Sequence, residues 1–142
     1  MSKANAKHDR QKTKVKVTKR CEYRNLGVHV GLSKVAGHGV FADRDFKKGE
    51  YIEVSPAILV SRNPDLLTYT NLSNYVFESE NSETYIGLGF TSLYNHDHYP
   101  NAEFTVMDYI ITIHARRPIV AGQEIFVDYG WDDETMANAG IE

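Results

Sequence analysis

The feature that most restricts what this chain can fold into is the shortness of its apolar runs. From Val28 onward they come as brief, often alternating segments, each cut off by Gly, Pro, Asn or Asp. Val28, Val30 and Leu32 alternate as a half-buried strand does. Gly37-His38-Gly39 interrupts, Val40-Phe41-Ala42 resumes, and Lys48-Gly49-Glu50 marks a turn before Tyr51-Ile52-Glu53-Val54. A further extended stretch, Ala57 to Val60, ends in Arg62-Asn63-Pro64-Asp65. Leu66 to Glu80 is the one segment long and polar enough for a helix or an irregular excursion. Tyr85 to Asn95 is apolar and broken by Gly87 and Gly89, which let the backbone approach a neighbour closely. Glu103–Met107 and Ile110–His114 flank Asp108-Tyr109 as a hairpin, and Ile125-Phe126-Val127 is a last short strand. This pattern predicts a mainly β domain of short strands with little helix.

With 142 residues, 42% of them hydrophobic, there is enough chain for one core but not for two comfortable ones. No run approaches the roughly 18 consecutive apolar residues of a membrane span, and the basic start lacks the apolar stretch of a secretory signal. A soluble, intracellular protein without a membrane partner is therefore expected. Cys21 is the single cysteine, which excludes an internal disulfide and a thiolate zinc cluster. The formal charge of -3 is unevenly distributed: residues 1–20 carry eight Lys or Arg against Asp9, a net of +7, whereas the other 122 carry eight against 18 Asp or Glu, a net of -10. Residues 1–20 cannot bury enough apolar surface to order themselves and form a basic arm; residues 21–142 form the domain. The arm is either a solubilising tail or a contact for nucleic acid or an acidic partner, while the acidic body would attract a basic polypeptide.

Four constellations could carry chemistry. Gly37-His38-Gly39-Val40-Phe41 is too short for a dinucleotide fingerprint and by itself reads as a tight turn. Asn95-His96-Asp97-His98-Tyr99-Pro100-Asn101 packs two imidazoles and a carboxylate together, yet no further His or Cys pair completes a ligand set, so no metal is expected. The segment Ala115 to Ile125 is by itself a strand, a turn and a strand start, and Asp128-Tyr129-Gly130-Trp131 is by itself core.

Together and in this order, these segments resemble the signature of the SET-domain protein lysine methyltransferases, in particular the short stand-alone viral and prokaryotic members. Gly37-His38-Gly39-Val40-Phe41-Ala42 with Lys48-Gly49-Glu50 looks like the first motif; Asn95-His96 with Pro100-Asn101 matches the second; Gly122-Gln123-Glu124-Ile125 with Asp128-Tyr129-Gly130 matches the ending. The likeness spans residues 28 to 131. It implies a β-clip-like fold of short strands with a C-terminal pseudoknot. It also implies methyl transfer from S-adenosylmethionine to a lysine of a basic protein such as a histone-like tail, with nuclear or nucleoid localisation if the substrate is chromatin.

By the same resemblance Tyr129 is the catalytic tyrosine. Gly37, His38, Gly39, Phe41, Asn95 and His96 approach the cofactor, largely through backbone groups, and Trp131 covers its adenine face. Tyr75, Phe104 and Val127 belong to the lysine channel, and Tyr85 to Gly89 offers an edge for pairing a substrate strand. Two departures stand out: Asp97 replaces the usual serine, and no cysteine cluster follows Gly130, so residues 131–142 are expected to close the channel. A SET-like binding module without activity, seated on chromatin or nucleic acid through its arm, is the rival reading. A metal-dependent hydrolase built on His96, Asp97 and His98 is a second. Oligomeric state is left open, a homodimer included.

Overall fold

The computed structural model describes residues 24–25, 27–62 and 71–138. The basic arm 1–20, Cys21 and the end of the closing segment lie outside the described residues.

In chain order the strands are β1 (Arg24–Asn25), β2 (Val28–Leu32), β3 (His38–Ala42), β4 (Tyr51–Ser61), β5 (Val76–Glu78), β6 (Thr84–Gly87), β7 (Asn95–His96), β8 (Ala102–Met107), β9 (Ile110–Ala115) and β10 (Glu124–Val127), followed by one short helix, α1 (Asp133–Asn138). Among the described residues they form two curled sheets. The larger runs β5-β6-β4-β9-β8, with β1 also on β4; the smaller runs β2-β3-β10-β7. Alternation in sequence becomes alternation in burial. Ile111, Ile113 and Ala115 of β9 and Ile125 and Val127 of β10 point inward and meet Val28, Val40, Phe46, Ile52 and Ile119 in a common core. Each buried Val, Ile or Phe side chain contributes roughly 1.5–3 kcal/mol by leaving water. The β8–β9 hairpin turns on Asp108 and Tyr109, both at positive φ (38° and 69°), as a two-residue turn that follows the strand twist requires.

β4 is one eleven-residue strand where two were expected. The reason is Pro56. It sits where β4 changes partner, between residues 53–54 that pair with β1 and residues 57–61 that pair with β6, so its missing N–H breaks no ladder. The excursion expected over 66–80 is, in its described part, a 3-10 turn at Asn71–Tyr75 leading directly into β5. β6 is paired on both sides, by β4 and β5, so Tyr85 to Gly89 is not a free edge; among the described residues β5 is the edge strand at that end of the sheet. Polar Val76–Glu78 flanks hid this strand because its partner, not its own alternation, creates it.

What positions the site is the crossing of the last strand. β10 runs antiparallel to β3 and parallel to β7, in the register Phe126 with Asn95 and Val127 with His96. Buried Asn101 extends this ladder with its side chain: its amide donates to the Glu124 carbonyl (2.9 Å) and accepts from the Phe126 N–H (2.8 Å). The segments around Asn95 and Tyr129 are thus threaded against each other in the C-terminal pseudoknot.

Candidate active site

Where the two sheets meet lies a cavity of about 350 Å³, walled by the 73–78 segment, by Thr91, Ser92 and Tyr94, by Phe104 of β8, and by Tyr129, Gly130 and Trp131. The Tyr129 hydroxyl donates to the Tyr94 carbonyl at 2.8 Å. Burial above all, with the Tyr75 phenol second, pushes the Tyr129 hydroxyl up to about 12. It therefore stays protonated at neutral pH, its proton committed to Tyr94, leaving oxygen lone pairs for another group. Its ring is gripped by Trp131 (centroids 5.1 Å) and His96 (5.2 Å).

Of the residues expected in the lysine channel, Tyr75 and Phe104 line this cavity, Phe104 standing edge-on to Phe77 with centroids 5.0 Å apart. Val127 is elsewhere: it is 1% exposed, in the core, on the inward face of β10. Trp131 lines the tyrosine cavity itself. Phe41 stacks on the His29 ring, which pairs with Asp43, and neither Phe41 nor exposed His38 reaches the cavity lining.

The Gly37–Gly39 turn is joined to Asn95 by side-chain bonds. The Asn95 amide donates to the carbonyls of Ala36 and His38 (both 3.1 Å) and to Glu124 Oε1 (2.9 Å). Glu124 Oε2 also accepts from Ser33 Oγ at 3.0 Å. The two glycines are required for different reasons. Gly37 has φ +47° and open space where a Cβ would stand, whereas a Cβ on Gly39 would lie 2.0 Å from Glu124 Oε1. The Asn95 side chain is thereby spent on the protein, which leaves backbone groups for a ligand.

Buried His96 accepts the Tyr129 N–H at Nδ1 (3.1 Å), which places its ring proton on Nε2, a buried donor with no partner among the described residues. Asp128, 3.7 Å from Nδ1, instead accepts the Gly130 N–H. Desolvation outweighs the Asp128 charge and holds the imidazole below its ordinary range, so it is neutral. His98 stands perpendicular to it at 4.7 Å. Among the described residues no three His, Cys, Asp or Glu side chains converge as a metal site, so His96, Asp97 and His98 do not form the ligand set a hydrolase would need.

Sequence reasoning missed Tyr94, Phe77 and Glu53. Tyr94 is fully buried and supplies the acceptor for Tyr129. Glu53 is a buried carboxylate that accepts the Tyr94 hydroxyl, Ser55 Oγ and the Phe90 N–H. The available signal was a lone carboxylate on the same strand face as small Ser55 and Ala57, a face that elsewhere would carry apolar bulk.

Comparison with known proteins agrees with this geometry. The SET domain family matches residues 37–130. A Schizosaccharomyces pombe protein named histone-lysine N-methyltransferase, H3 lysine-37 specific, is 27% identical over 110 residues, covering 72% of this chain and 75% of its own. The crystal structure of a Plasmodium falciparum candidate histone methyltransferase superposes with a TM-score of 0.65 at 28% identity, over 76% of this chain and 96% of that one. A humanized Chaetomium thermophilum Polycomb Repressive Complex 2, bound to the inhibitor GSK126, shares the fold with a TM-score of 0.61 at 24% identity, over 73% of this chain and 15% of that one. With the family's match covering well over half of its length, from the glycine turn to the end of the Tyr129 motif, the chain belongs to the SET domain family.

Proposed function

We propose that this protein transfers a methyl group from S-adenosylmethionine to a lysine side chain of a basic protein, of the histone-tail class that its Schizosaccharomyces pombe relative is named for. The observation that carries the reading is the Tyr129 hydroxyl, fixed on the Tyr94 carbonyl inside a cavity whose other walls include Tyr75, Phe77, Phe104 and Trp131. Methyl transfer is a direct displacement, so positioning supplies most of the catalysis. An amine entering this cavity leaves water for aromatic walls, which disfavours its ammonium form, and the Tyr129 oxygen is placed to hold it by accepting a hydrogen bond. No separate base is needed at the reacting centre.

The residues around the glycine turn fit the cofactor. The space a Cβ would fill at Gly37 is open, the Asn95 side chain is already satisfied, and His96 Nε2–H is a buried donor without a partner among the described residues. Gly37, His38, Gly39, Asn95 and His96 would hold S-adenosylmethionine, which when bound supplies an electrophilic methyl on a sulfonium. Trp131 is left to the channel wall. β5, the edge strand among the described residues, lines the cavity through Val76, Phe77 and Glu78 and would take the substrate strand. The acidic body steers a basic segment there.

The test is methylation of lysine-bearing basic peptides, followed by mass spectrometry, with wild type and Tyr129→Phe. Loss of the hydroxyl should lower turnover by about 100-fold while cofactor affinity measured by calorimetry stays within about threefold, because the group acts at the reacting centre. Equal turnover in both proteins would remove Tyr129 from the mechanism.

A further inference from the structure

We infer that Glu53 is a positioning residue for methyl transfer, holding the cavity wall from which the Tyr129 hydroxyl takes its orientation; this rests on reading the cavity as the site of lysine methylation. Glu53 lies in β4 at 1% exposure, where a carboxylate is tolerated only with its oxygens fully engaged. Oε1 accepts Ser55 Oγ at 2.7 Å and the Phe90 N–H at 2.8 Å; Oε2 accepts the Tyr94 hydroxyl at 2.8 Å.

Two of those three donors belong to the segment that joins β6 to β7. One carboxylate therefore pins that segment to β4 at Phe90 and again at Tyr94. Between the two pins lie Thr91 and Ser92, both in the cavity wall. Tyr94 is held at both ends: its phenol is bound to Glu53 and its carbonyl receives the Tyr129 hydroxyl. The relay Glu53–Tyr94–Tyr129 runs from the larger sheet to the residues just beyond β10 in the smaller one. Glu53 touches neither reactant, so its effect would pass entirely through the placement of the Tyr94 carbonyl. A displacement of about 1 Å at a reacting centre can cost on the order of 100-fold in rate.

Glu53→Gln conserves size but not acceptors. With its NH2 towards Phe90 the amide leaves that N–H without an acceptor, and with its NH2 towards Tyr94 the hydroxyl must turn its proton away to accept instead, so in either setting one of the two bonds that hold the segment is altered. Initial rates against peptide and S-adenosylmethionine, with cofactor affinity by calorimetry and thermal melting, separate positioning from collapse. For Glu53→Gln, kcat should fall about 10- to 100-fold, with peptide KM and cofactor Kd within about threefold and one cooperative melt. A kcat loss under about fivefold overturns the inference, and so does a loss matched by an equal loss of cofactor affinity. If the Gln variant does not fold, Tyr94→Phe decides, since it removes only the hydroxyl that Glu53 binds. A kcat loss of about fivefold or more with KM unchanged supports the relay, and a smaller loss sinks it. Wild type assayed on the same basic peptide tells the failures apart. An inactive wild type sinks the functional reading and the relay together; an active wild type with indifferent variants sinks the relay alone.

Discussion

Gly39→Ala tests how the glycine turn is built. The added Cβ would stand 2.0 Å from Glu124 Oε1 and 2.8 Å from its Cδ, where an ordinary contact is 3.4 Å or more. The carboxylate is the far end of a side chain and can swing away, so the cost is not steric overlap but the bonds it must release. These are the one to Asn95 and the one to Ser33. Each involves a charged acceptor that is only partly buried, so together they are worth about 2–3 kcal/mol. Ala returns about 0.4–1 kcal/mol by restricting the unfolded chain. The net loss, about 1–2.5 kcal/mol, should lower the melting temperature by roughly 3–10 °C for a domain of this size. Cofactor affinity should drop too, because Asn95 loses one of the three acceptors that orient it. Glu124→Ala removes the clash along with the bonds, so the double variant should be no less stable than Glu124→Ala alone. Thermal and denaturant unfolding of the three proteins gives the answer. If Gly39→Ala matches wild type in stability and cofactor affinity, or if its cost simply adds to that of Glu124→Ala, the proposed contact between turn and carboxylate is wrong.

Phe104 presents no hydroxyl to the cavity, so a water that would bar a methylated amine lacks a partner at that position and is displaced at little cost. Wild type is expected to build di- or trimethyl-lysine and Phe104→Tyr to shift the product towards monomethyl, read by mass spectrometry; a wild type that stops at one methyl with excess cofactor refutes this. His96 is held below its ordinary 6.5, so the unfolded chain binds its proton first as pH falls. Its stability contribution is full above 6.5 and declines below it. Melting against pH should therefore show a loss in that range that His96→Asn flattens, and parallel curves would disprove the neutral assignment. Deleting residues 1–20 should leave the melting transition and activity on a free peptide in place, since every strand and wall residue described begins at Arg24 or later; loss of the transition would refute the boundary.

The sequence was most legible where a strand's partner is its chain neighbour. The hairpin from Ala102 to Ala115 follows from its own alternation and from the two-residue turn between its arms. Elsewhere the determining contacts are distant. Val76 and Phe77 become β5 only because Ile86 and Tyr85 lie opposite. Pro56 is compatible with the interior of β4 only because it stands at a change of partner, which the sequence does not display. α1 was not expected within the closing segment, although its cap was visible as Asp132, whose carboxylate accepts the Thr135 N–H at 2.8 Å while Met136 is buried beneath. At the candidate site, the family motifs pointed to Tyr129, which lines the cavity together with Gly130 and Trp131. Glu53 was missed because period-two reasoning assigns a charged strand residue to solvent, and two of its three donors, Phe90 and Tyr94, lie some forty positions away.

The parallel seam between β7 and β10 also bears on when the protein becomes competent. Its partners are separated by 31 positions in the chain, Asn95 from Phe126 and His96 from Val127. Such long-range closures come late in folding, because the loop entropy is lost before the contact repays it. Tyr129 and Trp131 reach the cavity only through this seam. A ribosome-bound chain whose hairpin and core strands have formed would therefore still lack the Tyr129 and Trp131 walls of its cavity until residue 131 had emerged, so the cavity would be complete only after nearly all the rest of the fold was in place.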